Sequence, residues 1–177
     1  MPHSQPMTSL PDLTLLLSML DEAFDAKSWH GATLRGSLRG LTSREAAWRP
    51  AAGRHNIWEV VLHCAYWKYA VRQRLAGGKR GSFGLAGSNW FDRPARGHDD
   101  EKAWRADVAL LVAEHRQLRD VVTRATPDRL RQPIGKGRPS PAFLIRGIAA
   151  HDLYHAGQIQ LLKRLARGSN KHGPARG

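Results

Sequence analysis

The sequence predicts an all-α fold, a four-helix bundle joined by long crossover loops. Three observations carry that prediction. Apolar residues recur at spacings of three and four in four separate segments. Cap and stop residues bracket most of these segments. No period-two run of four or more residues with β-branched enrichment comes between them. Helical segments joined by long connections pack as a bundle.

The first helix is placed near 11–39. In DLTLLLSMLDEAFDA, Leu13, Leu16, Leu17, Leu20 and Phe24 fall on one face. The helix is expected to continue, with a break or kink near Lys27-Ser28, into SWHGATLRGSLRG. LTSREAAWRPAAGR then reads as a short turn of helix and a loop closed by Pro50. The second helix, 56–76, starts at Asn56, which can cap it with Glu59 three residues on, and stops at Gly77-Gly78. GGKRGSFGLAGSNWFDRPARG (77–97) is too long for a tight hairpin, and loops of this length are often functional. The third helix, 99–125, opens on the acidic DDE, with a stripe of Trp104, Val108, Leu111, His115, Leu118 and Val122. TPDRLRQPIGKGRPS is read as a second loop. Ser140 caps the fourth helix, 141–167, Pro141 takes its first turn and Gly168 ends it.

Residues 10–167 therefore form one domain between a flexible N-terminus (1–9) and a flexible basic tail (168–177). The longest apolar run, LTLLLSML, falls far short of the roughly 20 residues that a membrane span needs. It has no basic leader or cleavage site, so neither a membrane span nor a signal peptide is expected. Cys64 is the only cysteine, which excludes an internal disulfide framework and a multi-cysteine zinc site. A cytoplasmic address fits these features. The net charge of +13 is spread over turns, loops and the tail, not gathered on one helix face. It reads as a solvated basic surface, and nucleic-acid binding is not expected.

The inner seam of the fourth helix is Leu144, Ile148, His151, His155, Ile159, Leu162. Spacings of four, three, four, four and three put both imidazoles on the core-facing stripe. Buried polar groups need partners, and two adjacent imidazoles cannot both be charged in a dry seam. A divalent metal ion answers both demands; hydrogen bonds to backbone or water are the other answer. A third ligand has to come from another helix. His63 in VVLHCAYW lies mid-helix beside Ile57, Val60, Cys64 and Trp67, and taken alone it reads as a core histidine. HDLYH also resembles the HExxH zinc-protease motif. The shorter Asp152 reaches a metal-bound water poorly, and no acidic residue follows it to serve as a downstream ligand.

With one histidine in HNIWEVVLHCAYW, an HxxxH in HDLYHAGQIQLLKRL and the lead-in LRGLTSREAAWRPAAGRHNIWEVV, residues 10–167 resemble the DinB-like (DinB/YfiT) superfamily of metal-binding four-helix bundles. The resemblance carries the metal-ligand role to His63, His151 and His155. It implies one divalent metal with water in the open positions, zinc or nickel first, with iron or manganese also seen in such sites. It further implies a homodimer and a small-molecule substrate. Relatives of this kind include transferases or isomerases that use a low-molecular-weight thiol, and hydrolases. The readings left open are a metalloenzyme that activates a thiol or water, and a non-catalytic metal- or ligand-binding bundle of the stress response.

Other residues are weighed beside these. His30 in SWHG is a candidate catalytic or substrate contact, or a surface or capping residue. His115 reads as a hydrogen-bonded core histidine. Glu59 is either a cap or a partner bonded to His63. Asp152 either orients a histidine on another helix or forms a salt bridge, and Tyr154 and Gln158 flank the ligand face. Cys64 reads as an inert buried thiol. The run Ser88-Asn89-Trp90-Phe91 either closes over the metal pocket or pins its loop to the core.

Overall fold

A computed structural model describes residues 13–77, 83–93 and 100–169. Among these the regular structure is entirely helical: α1 (Leu13–Phe24), α2 (Leu34–Ser37), α3 (Ser43–Ala47), α4 (Ile57–Ala76), α5 (Glu101–Thr123), α6 (Pro127–Arg131) and α7 (Pro141–Ser169). The four long helices are α1, α4, α5 and α7, and none of the helices is long and apolar enough to cross a membrane. The expected flexible N-terminus at 1–9 lies outside the described residues, as does the basic tail except for its first two residues.

The caps explain the boundaries. Asn56 Oδ1 accepts from the Glu59 amide at 2.8 Å, and Gly77 closes α4 with φ of 66°, a left-handed conformation that glycine adopts without strain. Thr42 and Glu45 form a reciprocal capping box around α3. Ser140 Oγ accepts from the Phe143 amide at the start of α7. α4 is the central helix. Thirteen of its twenty residues are buried, so it carries little amphipathic contrast. It packs most extensively against α5 and also against α7, while α1 lies on α7.

The expected helix over 11–39 is corrected. α1 ends at Phe24, where the Ala26 amide reaches back to the Asp21 carbonyl at 2.8 Å. The chain then turns through Gly31, at φ of 120°, which a side chain would strain. Thr33 Oγ1 caps a separate one-turn α2 that delivers Leu34 to the core. The second correction is α6, inside the stretch read as loop. Thr126 caps it, Pro127 takes its first turn, and Leu130 is fully buried.

At the meeting point of the four long helices sits a charge. Lys68 and Asp152 are both fully buried and form an ion pair between α4 and α7. The Lys68 ammonium also lies 3.4 Å from His115 Nδ1 on α5 and 4.9 Å from the centre of the Phe24 ring on α1. Burial pushes the Asp152 carboxyl up to about 6, although Lys68 opposes the shift. His115 stacks on Phe24 with ring centres 3.7 Å apart, and burial first, then Lys68 and Arg119, depress it to about 3. It is a neutral core histidine.

Candidate metal centre

α7 presents His151 and His155 one turn apart, and the middle of α4 brings His63 opposite them. His151 Nε2 lies 3.1 Å from His63 Nε2 and 3.2 Å from His155 Nε2. Three ligand nitrogens bound at about 2.0–2.1 Å to one ion stand roughly 3–3.4 Å apart, so this spacing suits a shared metal.

The outer nitrogens fix the tautomers. His63 Nδ1–H donates to the Asn89 carbonyl at 2.9 Å, and His155 Nδ1–H donates to Gln158 Oε1 at 2.8 Å. Both rings therefore turn a bare Nε2 lone pair inward. His151 can donate one Nε2–H to only one of them, and its own Nδ1 is buried with no hydrogen-bond partner. Protein hydrogen bonds alone leave this cluster incompletely satisfied. A cation among the three nitrogens would take all three Nε2 lone pairs, which one shared proton cannot do, and the donor set fits one.

Burial depresses all three rings. His63 falls to about 4, with His155 and His55 adding to the effect, and His151 falls to about 3, with His155, His63 and Lys68 adding. His155 is lowered by burial against the opposing bond to Gln158. The cluster is therefore neutral at physiological pH, the form in which imidazole binds metal. A second grouping, Cys64, His151 and Asp152, also brings potential ligand atoms within 4.8 Å of one another. It suits a metal less well: burial holds the Cys64 thiol protonated, and the Lys68 ammonium, paired with Asp152 Oδ2, already balances that carboxylate's charge.

Within the 77–97 stretch, residues 88–91 supply the centre's lid and its support. Asn89 has φ of 66°, and the Trp90 amide donates to the Ser88 carbonyl at 2.8 Å across it, a γ-turn. That turn aims the Asn89 carbonyl at His63, while Asn89 Oδ1 accepts from Trp67 Nε1–H at 2.9 Å. Trp90 stacks on His63 with centroids 4.0 Å apart, and His55 stacks on the other face of Trp90 at 3.6 Å. Phe91 is buried in the core. Both readings of the Ser88–Phe91 run hold: Asn89 and Trp90 cover the site and Phe91 pins the loop.

His55 was not singled out from sequence. Its Nδ1–H donates to Glu59 Oε2 at 2.9 Å, leaving Nε2 as the basic nitrogen. The Glu59 carboxylate is buried, paired with Arg49 and bonded to the Arg93 amide at 3.1 Å. Burial tends to raise its pKa, but Arg49, His55 and the Arg93 amide together hold it below the usual range. Glu59 thus serves His55, not His63. The i,i+4 spacing of His55 and Glu59 was the available clue.

A cavity of about 900 Å³ opens from the three histidines, and His55, Tyr154 and Gln158 also line it. Tyr154 and Gln158 therefore flank the ligand face as expected, and Gln158 additionally orients His155. Asp152 takes the salt-bridge reading and Cys64 the buried-thiol reading. His30 stands exposed in the link between α1 and α2 and is not part of the cavity wall. His63, His151 and His155 are brought together; His30 is not.

The sequence model of the DinB superfamily matches residues 28–159, a span that takes in all three histidines. No curated protein and no solved structure matches the chain.

Proposed function

Because the chain belongs to the DinB superfamily, we propose that it is a metal-dependent enzyme in which His63, His151 and His155 hold one divalent ion. The ion is zinc or nickel before iron or manganese, since imidazole suits all four and the borderline ions best. The observation that carries this reading is the convergence of three neutral Nε2 atoms at one end of an open cavity. When bound, such an ion lowers the pKa of a thiol or water at its open position. The reaction class is transfer from a thiol co-substrate, or hydrolysis.

The chain's own residues supply the remainder. Gln158 and the Asn89 carbonyl hold the outer nitrogens of His155 and His63, so the inner lone pairs keep their aim. Trp90 shields the His63 face from solvent. His55, its tautomer fixed by Glu59, packs behind Trp90 and holds the indole against His63. His30 has no place in this scheme.

The test is metal analysis of protein purified without an affinity tag, followed by a screen of thiols and electrophiles on chelated and metal-restored samples. Turnover that appears only after metal is restored supports the reading. Equal turnover by chelated protein would reject it. The apolar wall of the cavity favours one other reading, a non-catalytic metal- or ligand-binding bundle; it would be supported by tight metal retention with no turnover. The homodimer belongs to the same proposal. α1 spends Leu16 and Leu20 in the core and leaves Leu15 exposed for such a contact, which light scattering would check.

A further inference from the structure

The wall of the metal-centre cavity is divided. At the histidine end the polar partners are Asn89, bonded to His63, and Gln158, bonded to His155. Trp67 stands at the same end, beside His151; the rest of the lining is largely apolar, with Pro50, Ala51 and Val60 from the start of α4 and the segment before it, and Leu161, Leu162 and Leu165 from α7. Among the described residues no aspartate or glutamate lines the cavity, and Arg54 is the one lysine or arginine that does.

Leu162 packs against the core, but Leu161 and Leu165 on this wall are largely exposed. Leu161 is 58% exposed and Leu165 45% exposed, and Tyr154 on the same helix is 64% exposed. Isolated exposed apolar residues are ordinary, but here they line one cavity that begins at three potential metal ligands. Along α7, at 1.5 Å per residue, Leu162 and Leu165 stand about 10 and 15 Å beyond His155.

We infer that this site takes a small molecule with one metal-binding donor head and an uncharged apolar body that lies along α7 toward Leu165. The head rests on the function proposed above; the body rests on the wall alone. A sugar- or peptide-based ligand would set hydroxyl and amide groups against leucine side chains that offer no hydrogen bonds. A cationic ligand would meet Arg54 in a cavity whose described lining holds no carboxylate.

The test is a series of straight-chain hydroxamates, acetyl to decanoyl, titrated by calorimetry into zinc-loaded and into chelated protein. Affinity is expected to rise about fourfold per methylene until the chain has passed Leu165. The same rise, from a weaker start, is expected in chelated protein, because it comes from the wall. Leu161→Glu combined with Leu165→Glu, at exposed positions where the helical circular dichroism should persist, is expected to abolish the rise while metal content stays unchanged. A flat series on protein that binds metal normally would overturn the inference. So would equal affinity for hydroxamates ending in a carboxylate. A flat series in which the double variant turns a dimer into a monomer would assign the wall to a second copy of the chain, and would also overturn it. If no metal binds but the chain-length rise persists, the metal reading fails and this one stands.

Discussion

Replacing Lys68 with Met tests the packing that holds α7 against α4. The ammonium of Lys68 pairs with Asp152 Oδ2, while Asp152 Oδ1 has no other partner and both side chains are fully buried. Lys68→Met therefore leaves a carboxylate in the core with nothing to offset its lost hydration. Breaking a buried pair from one side costs about 3–5 kcal/mol, a large part of the roughly 5–15 kcal/mol that holds a domain together. At about 1–3 kcal/mol per molar urea, the unfolding midpoint of metal-free protein should fall by roughly 1–5 M. Lys68→Met combined with Asp152→Leu removes both charges and should recover most of that loss. Metal should also rescue the single variant, because an ion bound across α4 and α7 stabilises only the folded chain. The assay is urea unfolding followed by circular dichroism, with and without zinc. A single variant that loses less than about 1 kcal/mol, or a double variant as unstable as the single, would refute the reasoning.

Three further outcomes follow from the site and its surroundings. Asn89→Val places a β-branched residue at φ of 66° and should weaken metal affinity about 10–100-fold, measured by competition with a chelating dye, whereas Asn89→Gly keeps the carbonyl's aim and most of the affinity. His55→Ala removes the ring that backs Trp90 and should weaken metal affinity about tenfold by the same dye competition; unchanged affinity would deny His55 a part in supporting the lid. In metal-free protein, stability should fall as pH drops from 6.5 toward about 3, since the unfolded chain protonates His115 over that window and the folded one does not. His115→Gln should flatten this acid limb by up to about 1.4 kcal/mol per pH unit and change nothing above the unfolded pKa, as read from urea midpoints across pH.

Much of this architecture is local and so was readable in the sequence. The Asn56 and Ser140 caps and the Gly77 stop are one-turn effects, and the seam that carries His151 and His155 follows from 3.6-residue periodicity. His63 carried no such signal, because one histidine in a helix whose surface is mostly buried looks like any core residue; its role came from family resemblance. The break between α1 and α2 was placed too lightly, since Leu34 and Leu38 keep an apolar rhythm after the chain has changed direction at Gly31. α6 was hidden by its shortness, although Thr126-Pro127 marks a helix start. Lys68 and His55 carry no signal of their own in the sequence, and Asn89 is marked only as part of the 88–91 run, because each is defined by a partner far away or across a turn. A lysine goes into a core only when an aspartate 84 positions on meets it there. Asn89 matters through a backbone angle and a carbonyl, which side-chain patterns do not report.

The central claim is that three helix-borne histidines form one metal site. Its most direct test is the metal content of untagged protein, wild type against His63→Ala, by mass spectrometry after incubation with zinc or nickel and exhaustive desalting. His63 stands 88 positions from His151 in sequence, yet their Nε2 atoms lie 3.1 Å apart. The expected result is about one ion per chain in the wild type and little or none in the variant, with the helical circular dichroism retained. Full occupancy in His63→Ala, or no retained ion in the wild type, would contradict the account.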